Sequence, residues 1–132
     1  MTLLYSSSKD VDLFQLAKLL NAVDAEAFAG DVSRLAVLVQ SSTRVVWAAH
    51  GADLVAFGSV LSDSAHFGLV TYVLVQPDRQ KRGIEQELVN RLLAGEPGVT
   101  FFWRVTAGST ETAGSLGFSP SGADCWGRRG LP

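Results

Sequence analysis

Apolar positions recur along this chain with two different periods, and the changes between them mark out the elements. Thr2 to Ser6 reads as a short strand. Val11, Phe14, Leu16, Ala17, Leu20 and Val23 then fall on one broad helical face, which predicts a helix over about Val11 to Ala22. The serines at 6–8 and Asp10 offer several caps for it. Asp24 to Gly30 reads as a connection. Asp31 caps a second predicted helix, which turns Leu35, Leu38 and Val39 inward and stops at Ser41-Ser42.

From Thr43 the pattern becomes that of strands. Arg44 to Ala49 is one strand, His50 to Asp53 has turn chemistry, and Leu54 to Leu61 returns antiparallel. Gly58 inside the returning strand marks a bulge or a close approach of another element. After the turn at Ser62-Asp63-Ser64, a strand runs from about His66 to Val75. Its last residues, Val73, Leu74 and Val75, are continuously apolar, as in a strand covered on both faces. Pro77 ends it, because proline cannot donate to a sheet ladder. Beyond Gly83, the apolar residues Ile84, Leu88, Val89, Leu92 and Leu93 form one stripe of a 3.6-residue period. A break at 95–98, a strand from Thr100 to Val105, a short helix over Ser109 to Leu116 and a last strand at Cys125-Trp126 complete the chain.

Composition narrows the class. The chain has 132 residues, enough for one domain (1–132) with a substantial core. Hydrophobic residues make up 47% and charged residues 18%, which argues against disorder and for apolar surface that seeks a partner. A formal charge of −2 gives no general attraction to nucleic acid. The single cysteine allows no internal disulfide and no cysteine-based metal site, which fits a cytoplasmic setting. Two separated histidines make no metal motif. The N-terminal MTLLYSSSKD does not read as a secretory signal, and no apolar run reaches the length of a membrane span.

The informative stretch is Tyr72 to Leu93, where a strand passes through a basic loop into a helix. The first N–H groups of a helix lack internal partners, and their dipoles sum to a partial positive charge. Phosphates bind at such places. Arg79, Lys81 and Arg82 crowd this turn, and Gly83 lets a ligand come close to the backbone.

The wording Val75-Gln76-Pro77-Asp78-Arg79-Gln80-Lys81-Arg82-Gly83-Ile84 resembles the acyl-CoA signature of the GNAT acetyltransferase superfamily, Val-x-Pro-x-x-Gln/Arg-x-x-Gly-x-Gly/Ala. The element order and Leu116-Gly117-Phe118-Ser119-Pro120, similar to the family's Leu-Gly-Phe-x-Pro close, extend the resemblance over nearly the whole chain. With Val45-Val46-Trp47-Ala48 and the Cys125-Trp126 strand, it looks most like the small branch of cyanobacteria and chloroplasts, which would allow the plastid stroma as an alternative location.

The resemblance implies an α+β fold of the α/β type, with a mixed, mostly antiparallel sheet of six to seven strands flanked by about four helices. It implies acetyl-CoA as acyl donor, with no metal. Val73, Leu74 and Val75 would meet the pantetheine, and Gln80, Lys81, Arg82, Gly83, Ile84 and Glu85 the pyrophosphate. Glu85 departs from the pattern, since it stands where the family has a small residue and places a carboxylate near a negatively charged ligand. Two further departures concern proton transfer. Ala113 stands where the family's acid tyrosine belongs, and Leu69 near the place of its carboxylate base. His66 and Tyr72 are the candidate substitutes, His66 because imidazole titrates near neutrality. His66 also reads as a surface residue, and Tyr72 as core or pocket wall.

Two functions stay open on this reading. One is a divergent acyl-CoA-dependent N-acetyltransferase acting on a small-molecule or protein amine. The other is a catalytically inactive binding or regulatory protein on the same fold, acting through contacts with itself or another protein. In the latter, Phe102 or Trp103 would close the strand cleft. No nucleic acid and no membrane is expected as a partner, and a homodimer is.

Overall fold

The computed structural model describes residues 2–23, 31–120 and 128. The elements are β1 (Leu4–Ser6), α1 (Leu13–Val23), α2 (Val32–Ser41), β2 (Arg44–His50), β3 (Asp53–Ser62), β4 (Phe67–Val75), α3 (Ile84–Leu93), β5 (Thr100–Trp103) and α4 (Thr110–Ser115). Single 3-10 turns precede α3 at Pro77–Arg79 and α4 at Ala107–Ser109.

The five strands form one sheet in the order β1-β2-β3-β4-β5. Neighbours are antiparallel except β4 and β5, which run parallel because α3 carries the chain across one face between them. Among the described residues the sheet thus has five strands instead of six to seven. The expected Cys125-Trp126 strand and the connection at 24–30 lie outside the described residues.

The sheet separates two cores. Leu16, Leu19 and Leu20 of α1 and Leu35 and Val39 of α2 pack on Val45, Phe57 and Leu74. On the other face Ile84, Leu88 and Leu92 of α3 pack on Val46, Val55, Val60, Val70 and Val75. Burying each such side chain stabilises by roughly 1.5–3 kcal/mol relative to exposure. α3 lies so close to β3 that a Cβ on Gly58 would come within 2.8 Å of Leu92 Cδ1, which is the close approach expected there.

Several predicted bounds shift. Asp12, not a residue of the serine run, caps α1, its Oδ1 accepting from the N–H groups of Phe14 and Gln15. The helix therefore begins at Leu13, and Phe14 is 77% exposed instead of inward. Phe14 and Leu16 are two residues apart, roughly 200° around the axis, so only one of them can face the core. β5 ends at Trp103, two residues early, where Val105 N–H turns back to Trp103 O.

Two features of β4 shape the site. Between the Tyr72↔Ser59 and Val70↔Val60 pairs the register shifts, which leaves Thr71 as an extra residue on β4. Such a bulge bends its strand. In addition, β5 pairs with β4 only from Phe67 to Val70.

Candidate functional site

Pairing with β5 stops at Val70, so the second half of β4, Thr71 to Val75, has no strand beside it on that edge among the described residues. Gln76 N–H bonds to Val55 O in β3 at 2.9 Å. Backbone groups alternate along a strand, so Val75 and Val73 direct their N–H and C=O groups the other way, into the opening. Gln80 Nε2 donates to Val75 O at 3.3 Å, which folds the loop back over this edge.

The loop then delivers the chain to α3. Pro77–Arg79 forms a single tight turn, Lys81 takes φ 63° and Gly83 φ 83°, and Gly83 is the N-cap of α3. The first backbone bond of α3 runs from Glu87 N–H to Gly83 O, and no side chain caps the end. The N–H groups of Ile84, Glu85 and Gln86 therefore point out of the helix with no acceptor inside it. Lys81 and Arg82 are exposed beside them. Arg79 bonds to Gln76 Oε1, just after β4, and reaches the β2–β3 hairpin, where it lies 3.5 Å from His50 Nδ1.

Glu85, in the first turn of α3, has a partner of its own. Its Oε2 accepts from Ser109 Oγ at 2.8 Å, and Gln86 Nε2 donates to Ser115 Oγ at 3.0 Å. Both bonds tie the start of α3, which follows β4, to the segment that follows β5. Ser109 was absent from the sequence-derived site because nothing local marks it as the partner of a residue 24 positions earlier.

A separate concavity lies on the other face of the sheet. There a groove of about 500 Å³ lies between α2 and the strands, lined by Ser33, Arg34, Val37 and Leu38 on α2, by Leu61, and by Thr71 and Tyr72. The reading from sequence found no such pocket. Its one local signal was Thr71, a polar residue inside an apolar strand.

The residues expected at the site are thus distributed unevenly. Val73, Val75, Gln80, Lys81, Arg82, Gly83, Ile84 and Glu85 come together along the β4–α3 junction, with the Ile84 side chain buried under α3. Leu74 packs on the opposite face with α1 and α2, as does Tyr72. His66 is exposed ahead of β4, in edge contact with the Phe67 ring at 4.2 Å. Tyr72 lies six positions further along the chain, roughly 20 Å of strand, so His66 and Tyr72 are not brought together. Ala113 is buried in α4, and Leu116 and Phe118 N–H groups both bond to its carbonyl. Phe102 faces outward beside Phe67, and Trp103 packs edge-on against Phe118. No group of His, Cys, Asp and Glu able to hold a metal occurs among the described residues. Among them, too, no helix is long and apolar enough to cross a membrane.

The backbone as a whole superposes on known structures. A probable acetyltransferase of Staphylococcus aureus superposes with a TM-score of 0.85 over 99% of this chain and 100% of its own, at 10% identity. The chain has the GNAT acetyltransferase fold. A GNAT-family acetyltransferase of Streptococcus pneumoniae gives a TM-score of 0.76 at 20% identity, over 99% of this chain and 98% of its own. AAC(6')-Iy, solved with the bisubstrate analogue CoA-S-monomethyl-acetylneamine, gives 0.74 at 13% identity, over 99% and 100%. No family model and no curated protein matches the sequence. The GNAT fold is therefore read here from backbone geometry, and these structures do not single out the cyanobacterial branch.

Proposed function

We propose that the chain is a divergent GNAT N-acetyltransferase that moves an acetyl group from acetyl-CoA to an amine. The observation that carries this reading is the unpaired edge of β4 leading directly into the uncapped N-terminus of α3. The residues fit the donor. Val73 and Val75 present main-chain donors and acceptors to an extended amide-bearing arm. The N–H groups of Ile84, Glu85 and Gln86, with Lys81 and Arg82 nearby, suit a diphosphate.

When bound, acetyl-CoA supplies an acyl group already activated as a thioester. The chain holds it, and a free backbone N–H in the opening can polarise the acyl carbonyl. The amine nitrogen must arrive with its lone pair available, form the new N–C bond, and lose a proton as the C–S bond breaks and the thiolate leaves. Neither Ala113 nor Leu69 can exchange that proton. The Tyr72 hydroxyl, water, or direct transfer between amine and thiolate is left to carry it, with slow turnover as the consequence.

The experiment is calorimetric titration of the full chain with acetyl-CoA and with CoA. Micromolar binding of both is expected, and no heat at millimolar ligand would remove the reading.

A second reading, a silent GNAT-fold binding protein, is favoured by the Glu85–Ser109 and Gln86–Ser115 bonds that join the two sides of the opening. It is separated by single-turnover assay with saturating acetyl-CoA. CoA binding without any amine-dependent thiol release would select it.

A further inference from the structure

A serine buried inside an apolar strand needs a physical reason. Ser59 of β3 is 0% exposed, and it stands where β4 takes in its extra residue, Thr71. We propose that Ser59 and Thr71 are positioning residues for the acyl donor: their hydroxyls lock the bulge of β4 and so hold the Val73 and Val75 main chain at the angle that meets the thioester carbonyl. The inference concerns what fixes the opening, and it rests on the transferase reading above.

Connectivity is the first argument. Thr71 has no opposite residue in β3, because the register passes from the Tyr72↔Ser59 pair to the Val70↔Val60 pair. A bulge leaves its extra residue out of the ladder. Here the side chain makes up the loss. Thr71 Oγ1 donates to Ser59 O at 2.9 Å, and with that proton committed Ser59 Oγ donates to Thr71 Oγ1 at 2.6 Å. The two hydroxyls spend their protons within the pair, so their role in the reaction is geometric.

Strand phase is the second. Val70 and Val75 both pack in the core under α3, five residues apart. In an unbroken strand an odd separation puts two side chains on opposite faces. Thr71 supplies the change of phase, and Thr71 and Tyr72, although adjacent, both line the groove on the α2 face. The run Val73 to Val75 is apolar throughout and meets a core on each face, so burial alone does not fix where the extra residue falls. The hydroxyl pair does, since moving the bulge away from Thr71 breaks the bond to Ser59 O and leaves buried polar groups unsatisfied.

Place is the third. β5 pairs with β4 up to Val70, the residue before Thr71. The locked residue is therefore where β4 loses one of its two neighbours, and the strand beyond it is paired on the β3 edge alone. Val73 lies two residues further on, about 7 Å along the strand, so a change of about 10° in the bend moves it by about 1 Å. A displacement of about 1 Å is enough to cost about a hundredfold in rate.

The test reads the acyl carbonyl directly. Acetyl-CoA isotope-labelled at its carbonyl carbon is titrated into the full chain, and the carbonyl shift is followed by NMR beside the urea midpoint of each variant. Thr71→Val keeps the shape and orphans the Ser59 hydroxyl. It should lower the midpoint, weaken acetyl-CoA roughly three- to tenfold, as for one lost hydrogen bond, and return the bound carbonyl toward its free shift. Removing both hydroxyls, with Ser59→Ala and Thr71→Val together, should restore most of the midpoint without restoring the affinity or the carbonyl shift. Thr71→Ser, which keeps the hydroxyl, should match the wild type in all three. A double variant with the wild-type carbonyl shift, or a Thr71→Ser that behaves as Thr71→Val, would overturn the proposal. No binding of acetyl-CoA by the wild-type chain would remove the transferase reading instead. The amide shifts of Val73 and Val75 in the free chain then decide the lock: displacement in the double variant and not in Thr71→Ser upholds it, and no displacement overturns it.

Discussion

At the scale of single residues, two positions at the head of α3 set stability against ligand affinity. Glu85 in the first turn complements the helix dipole, worth about 0.3–1 kcal/mol, and its bond with Ser109 adds about 1 kcal/mol. The same carboxylate sets a negative charge in the first turn of the helix, near the N–H groups that a diphosphate would use. Glu85→Ala should therefore lower the urea midpoint by an amount equivalent to about 1 kcal/mol and tighten CoA binding about tenfold, or about 1.4 kcal/mol. Opposite movement of midpoint and dissociation constant is the signature; a loss of both would mean that the Ser109 bond shapes the site. Lys81 shows the same conflict in its backbone. It is held at φ 63°, a region that costs a non-glycine residue roughly 1–2 kcal/mol. Lys81→Gly should raise stability by about 1 kcal/mol, because glycine adopts this turn without a Cβ clash, and should weaken CoA binding by removing a cation. Thermal unfolding read beside calorimetry checks both halves.

At the scale of elements, legibility followed locality. α3 could be bounded correctly from its sequence because Gly83, the 3.6-residue stripe and Ala94-Gly95 all speak about adjacent residues. The opening beside β4 could not be read that way. It depends on where a strand 25 or more positions later stops pairing, and the apolar run Val73 to Val75 looks the same with or without a neighbour. The family resemblance supplied that expectation, and the register of β5 supports it. Phe14 failed for another reason: helical phase was read from hydrophobicity alone, while Asp12 fixed the start. The paired half of β4 offers a test of how the opening is hinged. A Cβ on Gly68 would fall 2.4 Å from the Phe101 ring, so the two strands meet there with no room for a methyl group. Gly68→Ala should cost about 1–3 kcal/mol through overpacking, measured by urea denaturation. It should also loosen CoA binding, because a shifted β5 changes the width of the gap it borders.

Over the whole molecule, the sheet is fastened at one end and open at the other, and this division determines its response to acid. At the fastened end Arg44 donates to Leu92 O from Nε at 2.9 Å and from Nη2 at 2.7 Å, and it pairs with Glu96. Glu96 Oε1 also accepts from Ser62 Oγ at 2.8 Å. One carboxylate thus joins the start of β2, the end of β3 and the segment leaving α3. The Arg44 hydrogen bond first, and the Ser62 bond next, hold the Glu96 carboxyl below its ordinary value of 4.5. Asp63 is lowered likewise, by the N–H groups of His66 and Ala65. A carboxyl whose pKa is lower folded than unfolded binds fewer protons in the native state, so unfolding takes up protons. Its contribution is complete above the unfolded value near 4.5 and fades as pH falls through the lower folded value. The wild-type chain should therefore lose stability steeply below about pH 4.5. Glu96→Gln should be less stable at neutral pH and less sensitive to acid, since its one amide oxygen can still accept from Arg44, its NH2 faces Ser62 Oγ as a donor, and it has nothing to protonate. Urea midpoints of the two proteins, measured from neutral pH into the acid range, are expected to converge. A gap that stays constant over that range would assign the role of Glu96 to packing and not to its charge.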